Sequence, residues 1–149
     1  RNTPEGQIFS YIHAGGKIGV LVEINCETDF VARNDEFQLF AREIAMQIAA
    51  SDPHFVSKSD VPQSFIENEK KIILAQVKES GKKPEVAEKM IEGKLNKRLE
   101  EICLLDQIYI RDSKLKIEDL QNEIVSKLGE NIKISRFVRY QIGETQTDG

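Results

Sequence analysis

Residue periodicity points to an α+β domain. Its small three-stranded antiparallel sheet combines a β-hairpin with a C-terminal strand, is covered on one face by helices, and is accompanied by a helical hairpin. Three observations lead there. Apolar and polar residues alternate with a period of two from Ile18 to Cys26, and again from Ile132 to Ile142. Between these stretches, apolar residues recur at helical spacing in four successive segments. Glycine and proline fall between those segments rather than inside them, with one exception at Gly93. The chain has 149 residues, 40% of them apolar, which suffices for one domain with a real core over residues 1–144. The polar stretch 145–149 reads as a flexible tail.

The first element spans Gln7 to His13, with apolar residues on both parities (Ile8 and Ile12; Phe9 and Tyr11), as in a strand covered on both faces. Ala14-Gly15-Gly16-Lys17 is a hairpin turn, because glycine reaches positive φ at little cost. A phosphate-cradling loop does not fit these residues: Tyr11 stands where its first glycine belongs, and Ile18 where Ser or Thr should follow the lysine. The second strand has Ile18, Val20, Val22, Ile24 and Cys26 on one parity and Gly19, Leu21, Glu23 and Asn25 on the other. Asn34 caps a helix from Asp35 to about Ala50, with Phe37, Phe40, Ala41, Ile44, Ala45 and Ile48 on its apolar face. Asp52-Pro53 stops it, and residues 51–62 form a loop. A helix from Gln63 to Glu79 ends at Ser80-Gly81. Pro84 opens the next, where its missing N–H costs nothing; this helix runs to Ile102, and together the two make an antiparallel hairpin. Gly93 within the latter costs about 1 kcal/mol against Ala, so a neighbouring backbone is expected to pack closely against it. Ile108 to Ile110 reads as extended. Ile117, Leu120, Ile124 and Leu128 mark a last helix, stopped by Gly129. In the final strand Ile132, Ile134, Val138, Tyr140 and Ile142 are expected to share one face.

Charge and composition narrow the function. The formal net charge of −4 argues against nucleic acid or an anionic membrane as the main partner. No apolar run approaches the ~20 residues of a membrane span. Two cysteines far apart, Cys26 and Cys103, form neither a disulfide framework nor a metal-ligand set and read as buried free thiols. The only histidines, His13 and His54, lie in no nucleophile-elbow context, and the carboxylates are scattered over helix faces. No catalytic residue, cofactor or metal is expected. Lys82-Lys83 and Lys94 to Arg98 read as solubilising charge. The chain starts at Arg1 rather than Met, which reads as a fragment or processed product.

Thr28-Asp29-Phe30-Val31 does not fit this bland picture. It places a bulky aromatic beside an acid at a strand-to-helix junction, where a chain normally turns through solvent. Phe30 is either a core residue of that junction or an exposed apolar wedge for another protein, since aromatics anchor interfaces. Thr28 is placed to cap the turn.

Residues 19–32, GVLVEINCETDFVA, resemble the signature of the translation elongation factor Ts family. So do Ile44 to Ala50 with Pro53 downstream, Ala87 to Leu95, and Gly129-Glu130-Asn131-Ile132 followed by Arg136 to Tyr140. These blocks occur in order from about Glu5 to Glu144. The resemblance implies a guanine-nucleotide exchange factor for elongation factor Tu, acting without covalent chemistry. Asp29 and Phe30 would enter the GTPase near its magnesium and phosphate site. Thr28, Val31, Met46 and Gln47 would be further partner contacts; many members carry His where this chain has Gln47. It also implies that the family's N-terminal helical module is absent here, and that short members pair as homodimers. Val20, Leu21 and Val22 are then expected at the dimer interface, and the compartment is bacterial cytoplasm or an organellar matrix or stroma. An exchange-inactive structural or adaptor domain of the same fold is the alternative.

Overall fold

In the computed structural model, which describes residues 2–145, the two hairpin strands β1 (Glu5–Ile12) and β2 (Ile18–Cys26) come first. They are followed by helices α1 (Asp29–Ala32), α2 (Asp35–Ser51), α3 (Gln63–Glu79), α4 (Pro84–Ile102) and α5 (Ile117–Leu128). Strand β3 (Ile132–Gln141) closes the sheet in the antiparallel order β1-β2-β3. The architecture is the expected α+β one. Of the expected tail, residues 146–149 lie outside those described.

The hairpin turns through Gly15 and Gly16, both at positive φ. Val20, Val22, Ile24 and Cys26 point from β2 toward α2 and are buried there against Phe37, Phe40, Ala41, Ile44 and Ile48. Each large side chain contributes roughly 1.5–3 kcal/mol by leaving water. Ile117 and Ile124 of α5 close the same core from the side. The Asn34 side chain accepts from the Glu36 and Phe37 amides at 2.7 and 3.4 Å, fixing the start of α2. At its other end Arg139 donates to the Ala49 carbonyl at 3.1 and 3.3 Å, satisfying an acceptor that the last turn leaves open. The α3–α4 hairpin has a smaller core of its own, formed by Val61, Ile73, Val77, Leu95, Leu99, Ile102 and Cys103.

Three expectations are corrected. First, β1 is covered on one face only within a single chain: Phe9 and Tyr11 pack inward, while Ile8 and Ile12 are exposed. Second, the apolar residues of β3 do not share a face. Ile24 pairs with Ile134 but Glu23 pairs with Arg136, so Ser135 is an extra, bulged residue. A one-residue slip exchanges the two faces. Ile132 and Ile134 therefore point into the core, whereas Val138 and Tyr140 point out with Leu21 and Gly19. Third, a Cβ placed on Gly93 would meet nothing within 4 Å among the described residues outside its own helix backbone, so the expected close packing is not found there. The close approach is instead at Gly6, at φ 145°, where a Cβ would lie 2.2 Å from the Ile24 carbonyl oxygen.

Candidate partner-binding site

Strand β2 ends in the buried Cys26, whose thiol donates to the Thr28 carbonyl at 3.2 Å. Burial first, and then the charge of Glu130, push that thiol's pKa up, so it stays protonated and unreactive. The chain then turns into α1, a single helical turn. Thr28 is its N-cap in extended conformation, and its hydroxyl oxygen accepts from the Val31 amide at 3.3 Å. Val31 and Ala32 are buried and root the turn in the core. Phe30, between them and Thr28, is 78% exposed. The cap and the root act on the residues either side of the aromatic, and leave the ring itself in water. Asp29 pairs with Arg33 at 3.1 Å, with both side chains mostly exposed; such a pair adds little stability and leaves the carboxylate accessible.

The turn is strapped from a distance of 102 residues. Glu130, in the loop between α5 and β3, accepts through Oε1 from the amides of Glu27 (3.2 Å) and Thr28 (3.1 Å). Its Oε2 accepts from the Thr28 hydroxyl at 2.7 Å. Glu27 returns the contact, its carboxylate accepting from the Asn131 amide at 2.8 Å. Glu130 stands in a sequence block that resembles the family, but nothing in sequence spacing ties it to Thr28; the contact exists only because β3 lies beside β2.

The remaining expected site residues are dispersed. Met46 lies on α2, 11 residues beyond its start and so about 16 Å along the axis. It is half-buried, with a guanidinium nitrogen of Arg111 3.8 Å from its sulfur; exposed Leu39, Ile108 and Ile110 also flank this part of the molecule. Gln47 is corrected as a surface contact, because it is fully buried. Its amide nitrogen donates to Ser51 Oγ (2.9 Å), Gln107 Oε1 (3.3 Å) and the Ile108 carbonyl (3.0 Å), and its oxygen accepts from the Ile110 amide (2.9 Å). These bonds pin segment 107–110 onto α2. Val20 and Val22 are likewise reassigned: the strand pleat turns them into the core, and of the three residues expected at a dimer interface only Leu21 stands on the outer face.

Near that site Tyr109 donates to Glu43 at 2.7 Å. Burial, followed by that hydrogen bond, pushes its hydroxyl up to about 12. No cluster of His, Cys, Asp or Glu with metal-holding geometry occurs among the described residues. No helix among them is long and apolar enough to cross a membrane. The arrangement as a whole presents an aromatic surface anchor on a rigid mount, a feature suited to binding.

A family model described as elongation factor TS matches residues 1–144. The chain is similar to proteins named elongation factor Ts in several bacteria. It is 55% identical over 144 residues to that of Carboxydothermus hydrogenoformans, covering 97% of this chain and 66% of the relative. It is 55% identical over 148 residues to that of Thermodesulfovibrio yellowstonii, covering 99% and 73%. For that of Thermosipho melanesiensis the identity is 55% over 144 residues, covering 97% and 74%. The chain thus spans about two thirds to three quarters of these relatives' length.

Proposed function

The chain belongs to the elongation factor Ts family, and we propose from that membership that it serves translation elongation as a guanine-nucleotide exchange factor for elongation factor Tu. The exposed Phe30 carries this reading. A monomer gains nothing by holding a phenyl ring 78% in solvent on a capped turn, whereas transfer of that ring into a partner contributes roughly 2–3 kcal/mol. If only the loosened, nucleotide-free form of the GTPase has room for it, that energy biases the partner about 30- to 140-fold toward release. The coupling is reciprocal: bound GDP weakens the exchange factor's grip by the same factor. Asp29 beside the ring offers an accessible acceptor. Met46, with the exposed Leu39, Ile108 and Ile110, supports a second contact on the α2 side. The process needs no bond to be made or broken. Its setting is the compartment where translation runs, which for the bacterial relatives is the cytoplasm. A second copy of the chain is proposed to cover the outer sheet face.

The test is stimulated release of labelled GDP from elongation factor Tu by the native chain and by Phe30→Ala, with thermal unfolding of both. A drop of at least about tenfold, roughly 1.4 kcal/mol, with unfolding unchanged is expected. Full activity of a folded Phe30→Ala protein refutes the wedge, and a native chain without activity leaves the exchange-inactive adaptor.

A further inference from the structure

We propose that Glu130 is the positioning residue of the Phe30 mount: its carboxylate locks Thr28 in the capping rotamer and thereby holds α1, and the ring on it, in the binding geometry. As a statement about exchange this rests on the function proposed above; as a statement about the local structure it stands independently.

A four-residue helix has no stability of its own, because its nucleation cost is never recovered by propagation. Something outside it must order it. Val31 and Ala32 supply burial on one side. On the other, the groups that restrain the N-terminal end among the described residues are those around Thr28. The threonine hydroxyl must direct a lone pair at the Val31 amide, and a hydroxyl free to rotate would do so only part of the time. Donating its proton to Glu130 Oε2 at 2.7 Å fixes the rotor, so the lone pair is directed continuously. The other carboxylate oxygen accepts two main-chain amides at 3.1 and 3.2 Å, which fixes the backbone that enters the turn. One ionised group thus serves three donors, and each bond is of the stronger, charge-assisted kind. Water would have to replace all three together for the turn to swing. The Glu27 bond to Asn131 holds Glu130's own loop in return. The consequence for binding is entropic: a ring already held in place loses little freedom on insertion.

The test uses native chain, Glu130→Ala, Phe30→Ala and the double variant. Amide hydrogen exchange is read at Ala32 and Arg33, which bond back to Thr28 and Asp29, and at Val22 and Ile24 in the core. In Glu130→Ala, exchange at Ala32 and Arg33 is expected to rise at least about tenfold while the core amides stay within about twofold, as in a local opening. Stimulated GDP release is expected to fall about five- to tenfold, and this loss is expected to vanish in the Phe30→Ala background, since two residues acting through one ring are not additive. Unchanged exchange at Ala32 and Arg33, a uniform rise that includes Val22 and Ile24, or an equal loss of release without Phe30 overturns the proposal. Should Glu130→Ala fail to fold, Glu130→Gln answers the same question. Its amide oxygen can still take the two main-chain donors, but its NH2 cannot accept from Thr28, so a partial effect on exchange is expected and none overturns. A native chain that stimulates no release removes the proposed function, and the hydrogen-exchange arm alone then decides the clamp.

Discussion

Phe30 and Gln47 exchange the roles that their residue types suggest. The aromatic is in water and the amide is fully buried. Truncating each should therefore invert the usual ordering. Phe30→Ala removes almost no buried area, so its melting temperature is expected to stay within about 2 °C of native, against the about 3–5 kcal/mol that a core Phe→Ala costs. Gln47→Ala takes this partner from the buried Gln107 Oε1 and from the part-buried Ile110 amide and Ile108 carbonyl. Each buried group left unpaired costs about 1–3 kcal/mol, so a loss of at least about 2 kcal/mol is expected in denaturant unfolding. An equal or larger loss for Phe30→Ala would contradict both placements. Sequence reading posed the Phe30 question and identified the Thr28 cap, because both are local. It could not see the burial of Gln47, whose partners other than Ser51 lie about 60 residues away, nor Glu130, whose partners lie 102 and 103 away. A polar residue between apolar helix positions looks the same on paper whether it meets water or a buried carbonyl.

Every major helix and strand was legible from period and caps, with ends displaced by two residues at most: α3 and α4 are bounded as expected, α2 reaches Ser51 rather than Ala50, and β3 stops at Gln141 rather than Ile142. The face of each strand was not always legible, because one bulged residue at Ser135 reverses the parity beyond it and leaves no mark in an alternation that simply continues. The glycines show the same limit. Gly93 sits exposed in α4 with open space for a Cβ among the described residues, so Gly93→Ala is expected to stabilise the protein by about 0.5–1 kcal/mol through helix propensity. Gly6 looks unremarkable in sequence, yet its positive φ and the Ile24 carbonyl 2.2 Å from a would-be Cβ leave no room for a side chain. Gly6→Ala is expected to destabilise by at least about 2 kcal/mol, combining backbone strain with displacement of β1 from β2. Chemical denaturation of the two variants side by side decides both, and a shift of the same sign in each would refute the contrast.

The fold as a whole has a weakness at alkaline pH and an uncovered face. Cys103 is pushed up by burial, and then by Asp106, to about 11 from 9.0, and Tyr109 up to about 12 from 10.0. Both are uncharged when protonated, so the unfolded chain gives up these protons first. It binds fewer protons than the native state above pH 9, and stability must fall as pH rises. The contribution is complete below the unfolded values and is lost by about pH 12, so unfolding midpoints should drop across that window. A flat profile between pH 8 and 11 would contradict it. The uncovered face is the outer surface of the sheet. An antiparallel sheet with one solvated face normally presents polar residues there, but here Ile8, Ile12, Leu21, Val138 and Tyr140 stand exposed across all three strands, with Ile142 just beyond. Exposed apolar area of this extent marks an interaction surface. Its charges do not oppose a second copy: Arg136 donates to Glu23 at 2.8 Å and holds that carboxyl below its ordinary range, so the pair is self-neutralised at neutral pH. A two-fold contact sets the same patch against itself, which a mostly apolar surface with an internally paired charge tolerates. Leu21 lies on the central strand, and Leu21→Glu would bring two uncompensated carboxylates into a dry contact. Sedimentation is expected to give a dimeric mass for the native chain and a monomeric one for Leu21→Glu, with helix content unchanged by circular dichroism. A native chain that remains monomeric at every concentration overturns the dimer, and a Leu21→Glu protein that stays dimeric moves the contact away from this face.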